Sequence, residues 1–189
     1  MKRTGRPIPP LDTASLERLA LRYVERFATT RGKLAAYLAR KIRERGWDGA
    51  PADPASVAER FAELGYVNDR LFAEAKASSM ARRGLGARRV NQALRHAGVI
   101  GEDADAVAPQ VEARRGETAV AFARRRRIGP FAAVAADRPK QAKHVAAMVR
   151  AGHSPDLAWR IARMAPGEST AAIAEEEHYC VDPFQESDG

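Results

Sequence analysis

The chain has 189 residues, 32 of them Lys or Arg against 24 Asp or Glu, for a formal net charge of +8. That length is enough to bury a core, and the excess of base favours an acidic partner such as nucleic acid, an anionic membrane face or an acidic protein surface. One cysteine, Cys180, excludes an internal disulfide framework and fits a reducing cytosol. No apolar run approaches the roughly 20 residues that span a bilayer, and the start lacks the apolar stretch of a signal peptide. The expectation is a cytoplasmic protein with no membrane association.

Pro7, Pro9 and Pro10 cannot continue a helix, so residues 1–14 read as a disordered, basic, proline-rich arm. Leu16, Leu19, Ala20, Tyr23, Val24 and Phe27 then fall on one stripe of an amphipathic helix. Thr29 or Thr30 can cap a second helix with Leu34, Tyr37, Leu38 and Ile42 on one face. Gly46 ends it, followed by the apolar Trp47. A third helix places Val57, Phe61 and Leu64 inward and stops at Gly65-Tyr66.

The plan recurs. Asn68 or Asp69 caps a helix with Leu71, Phe72, Ala75 and Met80 on its inner face, and the glycines of ARRGLGA break it. The next helix turns Val90, Ala93 and Leu94 inward and stops at Gly98-Val99. A weaker helix over Ala104 to Val111 is interrupted by Pro109. The third round opens near Glu117, with Val120, Phe122 and Ala123 inward, and a longer connection, Gly129 to Pro139, leads to the helix KQAKHVAAMVR. That helix ends at Gly152-His153, and Ser154 with Pro155 opens the last. Gly46, Gly98 and Gly152 thus recur at steps of 52 (98 − 46) and 54 (152 − 98) residues. No segment alternates with period two. The expected fold is all-α, three-helix repeats in tandem forming an elongated, curved array, with repeats at 15–66, 67–115 and 116–166 and an acidic tail at 167–189.

Nothing in the sequence carries catalysis. The histidines His96, His144, His153 and His178 form no pair at ligand spacing, and the glycines have neither phosphate-loop nor dinucleotide spacing. His178 and Cys180 beside Glu175–Glu177 read as part of an acidic tail and not as a metal site, so no metal or cofactor is expected. Charge is the remaining signal. No acid lies between Glu74 and Glu102, where Arg82, Arg83, Arg88 and Arg89 flank the glycine turn. Arg31, Lys33, Arg40 and Lys41 surround the second helix in the same way. These eight are the candidate contacts to a polyanion, whether successive phosphates or a line of carboxylates. The run Arg124–Arg127 points in all directions on a helix and reads as solvated surface. Aromatic residues lie on core stripes, so contact with nucleic acid would be weak, backbone-directed and salt-sensitive.

The stretch ELGYVNDRLFAEAKASSMARRGLGARRVNQALRHAGV resembles the central motif of the RecX regulatory proteins: a glycine-aromatic step, an acidic cap, a phenylalanine-alanine helix, then a basic glycine turn. TRGKLAAYLARKIRERGW and KHVAAMVRAGHSPDLAWRIAR resemble that family's first and last repeats. The resemblance implies a non-enzymatic, monomeric protein that binds the RecA recombinase and lodges along the RecA–DNA filament. It implies inhibition of strand exchange, ATP hydrolysis and co-protease activity, and so control of recombinational repair and the SOS response. His153, where the family more often has an aromatic residue, and the long third turn depart from the pattern. The alternative reading is an all-helical nucleic-acid-binding protein that acts without RecA.

Overall fold

In a computed structural model the chain is described over residues 9–175. It is all-α, with α1 (Thr13–Val24), α2 (Arg31–Arg45) and α3 (Pro54–Glu63) forming the first round of helices. The second round is α4 (Asp69–Arg82), α5 (Ala87–His96), α6 (Glu102–Asp105) and α7 (Ala108–Ala113). The third is α8 (Arg115–Arg126), α9 (Arg138–Arg150) and α10 (Pro155–Arg163), and a short α11 (Ala171–Glu175) follows. The only extended pairing among the described residues is a single bridge between Leu11 and Trp47.

Caps account for most of the helix starts. Asp12 and Ser15 form a reciprocal box at α1, Thr30 accepts from the Lys33 N–H at α2, and Asp137 and Ser154 do the same for α9 and α10. Of the two candidate caps before α4, Asn68 takes the role, accepting from the Leu71 N–H at 2.9 Å. This frees the Asp69 carboxylate for other work. Pro109 stands in the first turn of α7, where its missing N–H costs nothing, and the helix expected over Ala104 to Val111 is divided just before it into α6 and α7.

The chain packs as two compact units. One takes the chain up to Ala73 together with Arg95–Asp103; the other takes Glu74–Leu94 and the described residues from Ala104 onward. The first unit is centred on Leu11, Leu16, Leu34, Leu38 and Phe61. Leu11 is fully buried, its N–H bonded to the Gly46 carbonyl and its carbonyl to the Asp48 N–H, so the proline-rich arm joins the fold from Leu11 on. Residues 1–8 lie outside the described residues.

The second unit is centred on Ala119, Ala123, Ile128, Met148, Leu157 and Ile161. Ile173 of α11 is buried in it, over Gly116, where an added Cβ would collide with the Ile173 carbonyl. The tail is therefore docked as far as α11; beyond it the tail lies outside the described residues.

Four positions read as inward face solvent: Phe27, Leu64 and Leu71 are more than half exposed, and Ala75 is exposed. On α4 the buried apolar positions are Ala73, Ala77 and Met80, a narrow face of mostly small residues. Small side chains let helices approach closely but give little hydrophobic contrast in a sequence.

Candidate polyanion-binding site

The basic turn between α4 and α5 is pinned inside the second unit. Gly84 has a left-handed φ of +64°, and a Cβ there would sit 2.8 Å from the Phe122 nitrogen and 3.0 Å from the Thr118 carbonyl oxygen. Gly86 is closer still: its added Cβ would lie 2.5 Å from the Gly152 carbonyl carbon and oxygen. Only glycine permits this approach of two backbones. The contact is sealed by hydrogen bonds from the Gly86 N–H to the Ala151 carbonyl (3.0 Å) and from the Arg88 N–H to the Gly152 carbonyl (3.3 Å).

His153 completes the junction. It is 2% exposed, its ring lies 5.6 Å from that of Phe122, and Nε2 is 3.1 Å from the Gly84 carbonyl oxygen. A carbonyl only accepts, so Nε2 carries the proton. Burial holds the His153 pKa below the ordinary histidine value, and the bond to Gly84 opposes that shift in part. His153 therefore ties the third round of helices to the basic turn.

The first unit repeats the device. Gly32 packs on Gly98, with an added Cβ only 2.9 Å from the Gly98 Cα, and the Thr30 hydroxyl donates to the Ala97 carbonyl. The start of α2 thus meets the Ala97-Gly98 stop as the start of α5 meets the Ala151-Gly152 stop. The two ends of the middle round serve different junctions, which is why the unit boundary cuts α4 and α5.

Arg82, Arg83, Arg88 and Arg89 flank the pinned turn and are all exposed. Arg82 donates to the Ser78 hydroxyl and Arg89 to the Gln92 side-chain carbonyl, both neutral groups. Among the described residues no carboxylate pairs with any of the four. No described carboxylate neutralises their charge, and the backbone beneath is held by three hydrogen bonds.

The four candidates on α2 are placed differently. Arg31 binds three carboxylates: Asp69 at 3.2 Å, Glu59 at 3.2 Å and Asp103 at 2.8 Å, while its N–H donates to Asp69. The hydrogen bond to Asp69, whose side chain is 3% exposed, chiefly holds the guanidinium pKa above its ordinary value. Lys33 sets its ammonium 4.6 Å from the Phe72 ring centre. Arg40 and Lys41 share Glu44, at 3.8 and 2.6 Å, and both lie beside Tyr37. The Lys41 hydrogen bond draws the Glu44 pKa down.

The arginine run 124–127 is split. Arg124 lies over Phe131, 5.1 Å from its centre, and Arg127 ends α8 in the left-handed conformation at φ 55°. Arg125 and Arg126 line an open groove with Arg150 of α9. Sequence reasoning passed over that trio, because only the pairing of α8 with α9 brings position 150 beside 125 and 126.

Among the described residues no group of three or more histidine, cysteine or acidic side chains could hold a metal ion, and no helix is long and apolar enough to cross a membrane. His178, Cys180 and the acids beside them fall outside the described side chains.

Residues 68–107 match the family profile of the second three-helix domain of RecX. The regulatory protein RecX of Myxococcus xanthus (strain DK1622) is 31% identical over 158 residues, covering 77% of this chain and 83% of that protein. The regulatory protein RecX of Agrobacterium fabrum (strain C58) is 29% identical over 160 residues, covering 82% and 86%. The crystal structure of RecX from Lactobacillus salivarius aligns with a TM-score of 0.59 at 20% identity, over 78% of this chain and 92% of that one, and shares its fold.

Proposed function

The chain belongs to the RecX family of regulatory proteins, and from that premise we propose that it binds the RecA recombinase filament and inhibits its strand-exchange, ATPase and co-protease activities. In this reading the protein modulates recombinational repair and the SOS response as a monomer, with no chemistry of its own. The observation that carries it is the pinned turn between α4 and α5. Four exposed arginines without carboxylate partners among the described residues stand on a backbone fixed by Gly84, Gly86 and His153. A rigid cationic edge loses little conformational freedom on docking, so more of its electrostatic attraction is available for association. A filament of recombinase on DNA offers both carboxylates and phosphates to such an edge.

The α2 cations divide within this reading. Arg40 has the more exposed side chain and joins the contacts, with Lys41 beside it. Arg31 and Lys33 act through position, since their charges are engaged by Asp69, Glu59 and Asp103 and by the Phe72 ring. The rival reading, sequence-directed DNA binding without RecA, needs amide side chains free to read base edges. Of the one adjacent pair in this region, Asn91 and Gln92, the Gln92 carbonyl already accepts from Arg89.

The test is charge reversal of Arg82, Arg83, Arg88 and Arg89 together, with folding checked by circular dichroism. The expected result is at least a tenfold rise in the concentration needed to inhibit RecA-catalysed ATP hydrolysis, with the helical signal retained. A folded variant of undiminished potency would remove these residues from the contact surface.

A further inference from the structure

The open groove between α8 and α9 is lined by Phe122, Arg125, Arg126, Ala147, Arg150 and Ala151 and has a volume of about 520 Å³. Half of that lining is arginine, the rest is apolar, and none of it is acidic. Each of the three arginines is exposed, and none pairs with a carboxylate among the described residues. The groove's own helices do not neutralise them: α9 carries no acid, and Glu117 on α8 is held by Arg114. The opposite charge lies further along the same chain. Residues 176–189 hold Glu176, Glu177, Asp182, Glu186 and Asp188 and no lysine or arginine, with Phe184 set between Asp182 and Glu186.

That segment is anchored close to the groove. Ile173 of α11 is buried against the start of α8, where an added Gly116 Cβ would meet its carbonyl. Arg125 stands nine residues further along α8 (125 − 116), a rise of about 14 Å. Asp182 stands seven residues beyond Glu175 (182 − 175), a reach of up to about 25 Å. Glu176 and Glu177 are too near the anchor to arrive, whereas Asp182, Glu186 and Asp188 are within range.

We infer that the segment 181–188 of the same molecule occupies this groove and screens it from other polyanions. Asp182, Glu186 and Asp188 then meet the rim of Arg125, Arg126 and Arg150, where guanidinium forks take carboxylate oxygens two at a time. Phe184 lies on the apolar floor of Phe122, Ala147 and Ala151. Each exposed pair is weak alone, but a short tether holds the acids at an effective concentration on the order of a millimolar. A partner that offers more charge than three carboxylates displaces the segment, and a sparser one does not. The groove abuts the basic turn, since Arg125 Nη2 is 3.2 Å from the point where a Gly84 Cβ would stand, so the acids also set a threshold for what approaches that turn. Only this last consequence rests on the filament reading; the contact itself is measured with RecA absent.

The experiment uses the full chain with a nitroxide on its one cysteine, Cys180, which adjoins the segment. Amide NMR signals are compared before and after reduction of the nitroxide, in the parent and in two variants checked by circular dichroism. One variant combines Asp182→Asn, Glu186→Gln and Asp188→Asn; the other combines Arg125→Gln, Arg126→Gln and Arg150→Gln. The parent should show broadening centred on residues 122–126 and 147–151, relieved by added salt and lost in both variants. Affinity for labelled inorganic polyphosphate, read by fluorescence anisotropy, should rise at least about threefold in the acid-to-amide variant, because a tethered competitor is gone. No selective broadening in the parent, broadening retained in either folded variant, or an unchanged polyphosphate affinity would each overturn the proposal. So would equal broadening of isotope-labelled copies by nitroxide-bearing neighbours, which would mean that a second molecule supplies the segment. RecA inhibition, assayed separately on the same variants, tests the filament reading and not this one.

Discussion

Replacing Gly86 with alanine probes the junction that fixes the basic turn. The backbone there needs no left-handed φ, so alanine brings no conformational strain of its own; the whole effect comes from a Cβ placed 2.5 Å from the Gly152 carbonyl. Neither neighbour can yield, because both are backbone. The two backbone segments must part, and three hydrogen bonds go with them: Gly86 to Ala151, Arg88 to Gly152 and His153 to Gly84. At about 1 kcal/mol each the loss is about 3 kcal/mol, which also matches the upper part of the usual cost of overpacking. For a chain of this size that corresponds to a fall in melting temperature of about 6–12 °C. Gly167 is the control, since its φ of +82° carries left-handed strain but a Cβ there meets open space, and its alanine variant should lose only about 1–2 kcal/mol. Thermal unfolding followed by circular dichroism measures both. If Gly86→Ala lies within 0.5 kcal/mol of the parent, the junction is not close-packed and the argument for a rigid turn fails.

Other outcomes follow from the same contacts. Burial lowers the folded-state pKa of His153, so the unfolded chain takes up the proton first; stability is complete above about pH 6.5 and falls as the pH drops below it. His144 is shifted the same way, by burial and then by Lys140, and adds to the slope, so His153→Phe should flatten urea midpoints measured between pH 7.5 and 5 without abolishing the trend. Arg31→Ala leaves the buried Asp69 carboxylate without its guanidinium and should cost about 2–3 kcal/mol in urea unfolding, the lower end for a broken buried pair because Arg31 is itself 38% exposed. Arg127→Gly removes the left-handed strain of a non-glycine residue at the end of α8 and should stabilise by about 0.5–1 kcal/mol, read as a rise in melting temperature.

Helix positions were legible because apolar stripes and stop glycines obey simple periodicities, and Gly46, Gly98 and Gly152 do close α2, α5 and α9 or lie one turn residue beyond them. The inner face of α4 was not, because its alanines contrast poorly with their surroundings while the larger Leu71 looks like core and points outward. Gly84 and Gly86 read as helix breakers; their tighter constraints, the Thr118 and Phe122 backbone for Gly84 and the Gly152 backbone for Gly86, have no local trace. The same limit applies to charge. Arg31 looks like its basic neighbours until Glu59, Asp69 and Asp103 arrive from 28, 38 and 72 residues along the chain. Arg82, Arg83, Arg88 and Arg89 were legible as exposed cations because the stretch around them holds no acid at all.

The central claim is regulation of RecA, and ATP hydrolysis by RecA on single-stranded DNA, with this protein titrated from well below one molecule per recombinase, tests it most directly. Hydrolysis should fall at those low ratios, because one basic edge lodged on a filament affects many subunits, and added salt should weaken the effect. Hydrolysis unchanged at every ratio, up to equimolar, would contradict it.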